Sequence, residues 1–184
     1  MPRYIALLRA VNVGGAHTVK MDMLRQVFEA MGFSNVSSFI ASGNIIFESP
    51  ARNASMLEDR IEQGLMQAFG YEMTPFVRTT RELAQIAAFK PFPASSFGSK
   101  DLLGIIFLTV PPAPRVLRTV RAFQTGTDEW RARGRELYWL RHRNENGEVY
   151  STVPLEKALD QPFTIRGANT VQKLAEKYCD EAGS

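Results

Sequence analysis

The order of apolar and turn segments in this sequence predicts an α+β fold of two α/β plaits in tandem, each with the element order βαββαβ, followed by an extra C-terminal helix. Extended and helical patterns alternate in that order from Tyr4 to Arg78. Pro75 falls in the fourth predicted strand, and proline is confined to sheet edges, which is where the fourth strand of a ferredoxin-like plait lies. The second half then repeats the element order without repeating the sequence.

Local signals predict the helices of the first half. Apolar residues recur at helical spacing from Leu24 to Met31, and Gly32 stands where that helix should end. Asn53 is a suitable N-cap for a second helix, which Gly70 should end. Thr79 and Glu82 form a capping box, so a third helix should begin there.

The strands of the first half are short apolar runs between these helices. A Ser42-Gly43-Asn44 turn, a composition that favours positive φ, should join the second and third strands as a hairpin. The predicted strands cover residues 4–11, 36–41, 45–48 and 73–78.

A stretch rich in Pro, Ser and Gly, residues 91–101, predicts a linker between two domains. The N-terminal plait then covers residues 1–90 and the C-terminal plait-like domain, with its terminal helix, residues 102–184. Gly134 should turn a hairpin between strands around Trp130 and Tyr138. The other elements predicted in this half are a strand over 103–110, a helix that buries Val116 and Val120, a short helix over 154–159, an extended piece over 163–166 and a last helix through Val171 and Leu174.

Composition limits the class of protein. The one cysteine, Cys179, excludes an intramolecular disulfide and any multi-cysteine metal site, which fits a reducing compartment. The longest apolar run, residues 102–110, is far shorter than the ~20 residues of a membrane helix, and the N-terminus has no secretory pattern. We therefore expect a cytoplasmic protein without a membrane partner.

Topology places two polar segments at one edge of the first plait. Its first and second strands should run parallel, so the loop after the first strand and the hairpin after the second leave the sheet on the same side. A small anionic ligand, bearing a phosphate or a carboxylate, could bind there at the N-terminus of the first helix. The alternative is that the glycines only allow tight turns, which the Asn and Ser side chains cap. The candidate ligand-binding residues are Asn12, Gly14, Gly15, Lys20, Ser42 and Asn44.

Motif spacing identifies no catalytic group, so whether the chain is an enzyme stays open. The glycine loop lacks the Lys-Ser/Thr pair of a P-loop and the spacing of a dinucleotide fingerprint. His17 lies in the candidate loop and could act as an acid or base, although a solvated loop histidine explains it as well. His142 has no carboxylate at a ligand spacing, and we expect neither a metal site nor a cofactor.

An uneven charge distribution supports an alternative function, nucleic-acid binding. The whole chain has a net charge of +3, yet the segment from Arg115 to Arg143 alone carries +5, with eight arginines against three acidic residues. Trp130, Tyr138 and Trp139 could stack on bases between those arginines. Burial of the aromatics in a sheet that is apolar on both faces is the simpler interpretation. A third alternative is a structural or interaction role without catalysis, which includes a homodimer formed through the sheets.

Several spaced motifs together resemble one family, the bacterial family catalogued as domain of unknown function 1697. The resemblance implies a pair of ferredoxin-like domains, and it brings no assigned activity, substrate or cofactor. The motifs that carry it are Leu7-Leu8-Arg9-Ala10-Val11-Asn12-Val13-Gly14-Gly15, Val19-Lys20-Met21 with Leu24, Gly32-Phe33, Ser42-Gly43-Asn44 with Phe47, Gly134-Arg135-Glu136-Leu137-Tyr138 and Asn169-Thr170-Val171 with Lys173-Leu174.

The chain departs from the family pattern near its C-terminus. Relatives usually have Arg-Asn-Trp-Asn-Thr-Val where this chain has Arg166-Gly167-Ala168-Asn169-Thr170-Val171. A basic Arg-Ser-Lys stretch of relatives corresponds to Tyr150-Ser151-Thr152. A site that depends on those side chains in relatives would be changed here.

Overall fold

A computed structural model describes residues 1–9, 19–123, 127–143 and 155–179 of the chain. The structure divides into two compact units. Unit 1 comprises Met1–Gln85 and Leu174–Ser184, and unit 2 comprises Ile86–Lys173. The linker over 91–101 and the two domains that it separates stay predictions.

Unit 1 contains one four-stranded antiparallel sheet. The first elements are β1 (Arg3–Leu8), α1 (Met21–Ala30), β2 (Ser34–Phe39), β3 (Asn44–Glu48), α2 (Ala54–Phe69), β4 (Pro75–Thr79) and α3 (Thr80–Ala88). The strand order is β2-β3-β1-β4. Because β1 and β2 are both antiparallel to β3, they run parallel to each other, which gives the βαββαβ topology that the sequence predicts.

The local signals for these elements are confirmed. The side-chain oxygen of Asn53 accepts hydrogen bonds from the N–H groups of Ser55 at 3.0 Å and Met56 at 3.3 Å, and Gly70 ends α2 with φ 74°. The backbone N–H of Thr79 donates to Glu82 Oε2 at 2.8 Å and that of Glu82 donates to Thr79 Oγ1 at 3.1 Å, which is the predicted capping box. Pro75 is the first residue of the edge strand β4, where no ladder donor is required of it.

Some strand boundaries were predicted wrongly. β4 begins at Pro75 instead of residue 73, and β2 covers Ser34–Phe39 instead of 36–41. β2 ends early because Ile40 has a φ of 50° and leaves the extended conformation. Asn44 is already the first residue of β3, paired with Phe39 and Leu7. The turn that joins the strands is therefore residues 40–43.

The main core of unit 1 lies between the sheet and its two helices. Tyr4, Ala6 and Leu8 on one face of β1 pack with Phe28 of α1 and Ile61 of α2. Complete burial of such a side chain contributes roughly 1.5–3 kcal/mol. On the other face of β1, Ile5 and Leu7 are also buried, so the strand is covered on both sides.

The chain from Leu174 onward belongs to unit 1. Arg3 Nη1 donates to the carbonyl of Tyr178 at 3.4 Å. The Tyr178 ring lies edge-on to Phe39, with 6.3 Å between ring centroids, and the Lys177 ammonium is 5.8 Å from the Phe39 ring. These contacts attach the last turn of the chain's final helix to β1 and to the end of β2.

Unit 2 has the same topology, in a four-stranded antiparallel sheet. The elements of this half are β5 (Leu102–Leu108), α4 (Pro114–Ala122), β6 (Asp128–Arg133), β7 (Glu136–Arg141), α5 (Leu155–Ala158), β8 (Phe163–Gly167) and α6 (Ala168–Tyr178). The strand order is β6-β7-β5-β8. In the described residues the second crossover helix, α5, has 4 residues, in contrast to the 16 residues of α2. The core includes Ile106, Val116, Trp139 and Phe163.

Within the residues described, no helix has both the length and the apolar character needed to cross a membrane.

Candidate functional site

The predicted edge of unit 1 forms where β1 ends. The backbone N–H of Leu8 donates to the carbonyl of Gly43 at 2.8 Å, and that of Arg9 donates to the carbonyl of Thr74 at 2.9 Å. The end of β1 therefore lies beside the hairpin turn, as the parallel course of β1 and β2 predicts. Of the six candidate residues, Lys20, Ser42 and Asn44 belong to the described part of the chain, whereas Asn12, Gly14 and Gly15, together with His17, lie outside it.

Asn44 and Ser42 hold the hairpin turn. Asn44 is fully buried, and its side-chain amide donates to the carbonyl of Phe39 at 3.0 Å and to Ser42 Oγ at 2.8 Å. Gly43 completes the turn with φ 72°, a conformation that costs glycine little and other residues more. The side chains of Asn44 and Ser42 thus make hydrogen bonds within the turn.

Lys20 is the exposed cation of this edge. It occupies the N-cap position of α1 with extended backbone, and its own side chain makes no capping hydrogen bond. In the part of the chain that is described, the Lys20 ammonium has no ion-pair partner. A helix start with an adjacent lysine attracts anions, because the first-turn N–H groups have no partners within the helix.

A second polar cluster, around His142, was missed by the sequence analysis. His142 Nδ1 is 2.6 Å from Asp101 Oδ2, and His142 Nε2 is 3.0 Å from Glu129 Oε1. Partial burial lowers the pKa of His142, but its hydrogen bonds to Glu129 and Asp101 and their charges outweigh that effect and raise it above the ordinary value. Both ring nitrogens of His142 are therefore engaged by carboxylates. The described residues include no group of three His, Cys, Asp or Glu side chains arranged to hold a metal ion.

Strand register is the signal that would have revealed this cluster. Leu102 is the β-sheet partner of Arg141, so the residues just outside that pair, Asp101 and His142, must lie close together. Glu129 reaches the same place from β6, where it is the partner of Leu140. Spacing along the sequence does not reveal these contacts, because the three residues lie in or beside three different strands.

The aromatic residues of the arginine-rich segment are buried. Trp130, Tyr138 and Trp139 are 3%, 1% and 6% exposed, and the two indoles stack with 4.7 Å between ring centroids. Leu137 and Leu140 are buried as well, which confirms a strand that is apolar on both faces. Side chains this deeply buried offer no surface for stacking on bases.

Some of the arginines lie over aromatic rings. The Arg131 guanidinium is 5.1 Å from the ring of Phe92, that of Arg133 is 4.6 Å from Phe89, and that of Arg141 is 4.5 Å from Trp139. In such contacts the guanidinium packs against the ring and keeps its positive charge. Nucleic-acid binding by this segment stays an untested alternative.

Both units carry the same βαββαβ topology, so the chain is a tandem α/β-plait protein with a polar edge at the end of β1. It belongs to the family described as "Protein of unknown function (DUF1697)", whose model matches residues 1–138. The C-terminal motif that begins at Asn169 lies beyond that match.

A solved structure shares this fold. The conserved bacterial protein SP0830 from Streptococcus pneumoniae superposes with a TM-score of 0.73 and 24% sequence identity, over 95% of this chain and 97% of that one. This likeness confirms the fold of the chain. No curated protein matches the sequence.

Proposed function

We propose that this protein binds a small anionic ligand, bearing a phosphate or a carboxylate, at the edge formed by the β1–α1 loop and the β2–β3 turn. The observation that supports this most directly is the hydrogen bond from Leu8 to Gly43, which holds the turn beside the end of β1. Lys20 supplies a point charge, and the N-terminus of α1 supplies first-turn N–H groups. A helix end stabilises a nearby anion by about 0.3–1 kcal/mol. The proposed ligand-binding residues are Asn12, Gly14, Gly15, Lys20, Ser42 and Asn44.

In this proposal the candidate residues have two different roles. Asn44 and Ser42 keep the turn in shape through the bonds to Phe39 and to each other. Lys20 attracts the anion, and the glycines let it approach the backbone closely. The proposal concerns binding, and it assigns no reaction.

The test is a thermal-shift series with inorganic phosphate, pyrophosphate and citrate. A ligand at a hundred times its dissociation constant adds roughly 2.7 kcal/mol to the free energy of unfolding, which is several degrees for a chain of this size. Lys20→Ala and Gly15→Val should abolish the shift. Lys157→Ala, which removes an exposed lysine from α5, should keep it.

Two outcomes would refute the proposal. One is that none of the anions raises the melting temperature. The other is a shift of the same size in the wild type and in both variants of the edge, since the anion would then bind elsewhere. Binding of RNA or DNA that weakens steeply with salt would instead support the arginine-rich segment as the functional surface.

A further inference from the structure

A groove in unit 2 carries the strongest signs of a second binding site. It encloses about 780 Å³, within the range of small-molecule pockets. Much of its wall is apolar, with contributions from Phe89, Phe92, Phe97, Leu103 and Ile105. The groove therefore suits a ligand with an apolar body.

Tyr138 is one of the residues that line this groove, and its hydroxyl is buried without a partner in the described structure. The side chain is 1% exposed, its ring packs on Phe89 with 5.0 Å between centroids, and its Oη has no hydrogen-bond partner among the residues that the structure describes. Burial, with a smaller contribution from Glu136, raises the pKa of Tyr138 to about 12. The hydroxyl is thus a donor at every physiological pH, and a buried donor without an acceptor is a rare and costly feature.

The polar part of the groove wall favours an anion. Lys90 lines the groove, is exposed and has no ion pair within the described ranges. Gly167, Ala168 and Asn169, where β8 passes into α6, line it as well. The first residues of an 11-residue helix therefore border the same space, and the N–H groups of a helix's first turn bind carboxylates and phosphates.

Asp101 also lines the groove, but its oxygens are already engaged. Oδ2 accepts from the N–H of Gly98 at 2.8 Å and lies 2.6 Å from His142, and Oδ1 accepts from the N–H of Arg143 at 3.1 Å. These partners compensate its charge, so Lys90 and the start of α6 determine the sign of the ligand that fits.

We infer that this groove binds a small carboxylic acid with an apolar body. The body packs against Phe89 and Phe97, and the carboxylate lies towards Lys90 and the start of α6, where it accepts the hydrogen bond of Tyr138. This site lies in unit 2, so the inference does not depend on the function proposed for the edge of unit 1.

The test is calorimetric titration of the full chain with phenylbutyrate and with two probes that share its body, phenylbutanol and phenylbutylamine. The carboxylate should bind at least tenfold more tightly than the alcohol or the amine. Tyr138→Phe removes one hydroxyl, and Lys90→Ala removes the charge. Each should weaken phenylbutyrate binding by on the order of tenfold, the usual effect of losing a hydrogen bond or ion pair to a charged group.

Two more variants make the result decisive. Ala168→Trp should fill the groove and abolish binding, because Ala168 is one of the residues that line it. Lys157→Ala removes the same charge as Lys90→Ala at an exposed position outside the groove and should leave binding unchanged. Absence of phenylbutyrate binding at millimolar concentration, equal affinity for the alcohol, or full binding in the Tyr138 and Ala168 variants would each overturn the inference.

Discussion

Arg78 in β4 and Arg166 in β8 occupy equivalent positions in the two sheets. Arg78 is the β-sheet partner of Ile5 in β1, and Arg166 is the partner of Ile105 in β5. Each guanidinium donates from Nη1 to the carbonyl of the preceding residue at 2.9 Å, and each arginine stands two residues before a helix. Both are buried, at 1% and 9% exposure, so the two plaits share a structural arginine although their sequences differ.

The buried position of Arg78 predicts a large loss of stability in Arg78→Ala. Its guanidinium lies 4.0 Å from the carboxylate of Glu58, which is itself largely buried. Removing one partner of a buried pair leaves the other charge poorly compensated, so we expect a loss of about 3 kcal/mol in the free energy of unfolding, measured in urea. Arg121→Ala, at an exposed position of α4, should change it by less than about 0.5 kcal/mol. Similar small effects of the two substitutions would show that Arg78 is not structural.

Loss of the hydroxyl group should lower the free energy of unfolding at Tyr4 but not at Tyr138. Tyr4 Oη donates to the carbonyl of Ala51 at 2.6 Å, so Tyr4→Phe should lower the free energy of unfolding by about 0.5–1.5 kcal/mol. Tyr138→Phe removes a hydroxyl without a partner in the described structure, and stability should stay constant or rise. Urea unfolding of both variants measures the difference. A loss of stability in Tyr138→Phe would mean that this hydroxyl already has a structural partner.

The His142 cluster predicts a pH dependence of stability with a definite sign. The folded-state pKa of His142 is raised above the ordinary value of 6.5, so its stabilising effect is complete below that pH and is lost as pH rises through the folded pKa. Burial raises the pKa of Asp101, but the N–H groups of Gly98 and Arg143 and the contact with His142 outweigh this and lower it below 3.8. Its contribution is therefore present above that value and is lost as pH falls through the lowered pKa.

The cluster should thus stabilise the fold most between about pH 4 and pH 6.5. Melting temperatures measured from pH 5 to pH 9 should fall in the wild type as His142 deprotonates. In His142→Gln that part of the decline should disappear, whereas in His17→Gln, the matched control, it should remain. Equal profiles in the wild type and His142→Gln would contradict the assignment.

At the unit 1 edge, mutations should distinguish the structural role of the turn from the charge of Lys20. Asn44→Ala leaves the carbonyl of Phe39 and the hydroxyl of Ser42 without their amide partner, and we expect a loss of about 1–3 kcal/mol with or without added anion. Lys20→Ala should leave the free energy of unfolding within about 0.5 kcal/mol, because the side chain is exposed. Chemical unfolding without anions measures both. A stable Asn44→Ala variant would argue against the structural role of this amide.

Features determined by a few neighbouring residues could be predicted from the sequence. Asn53 and Gly70 bound α2, and Thr79 with Glu82 begins α3, because each cap involves residues at most four positions apart. Pro75 indicated the edge strand, because a missing N–H restricts a residue wherever it lies. The parallel course of β1 and β2 followed from topology, and it correctly brought Gly43 beside Leu8.

Features that depend on strand register or on unusual backbone could not be predicted. The end of β2 was misplaced because a β-branched residue such as Ile40 rarely adopts positive φ. Asp101 and Glu129 reach His142 from other strands, so the cluster requires the pairing to be known. Likewise, no local pattern shows that the hydroxyl of Tyr138 is buried beside a groove.

The division of the chain has a consequence for its synthesis. Unit 1 includes the segment from Leu174 onward, where Tyr178 contacts Arg3 and Phe39. Residues 1–85 of unit 1 are therefore synthesised before unit 2, and the segment from Leu174 follows unit 2. During translation the contacts of Tyr178 with Arg3 and Phe39 can form only after unit 2 has been synthesised, so unit 1 stays incomplete while unit 2 emerges.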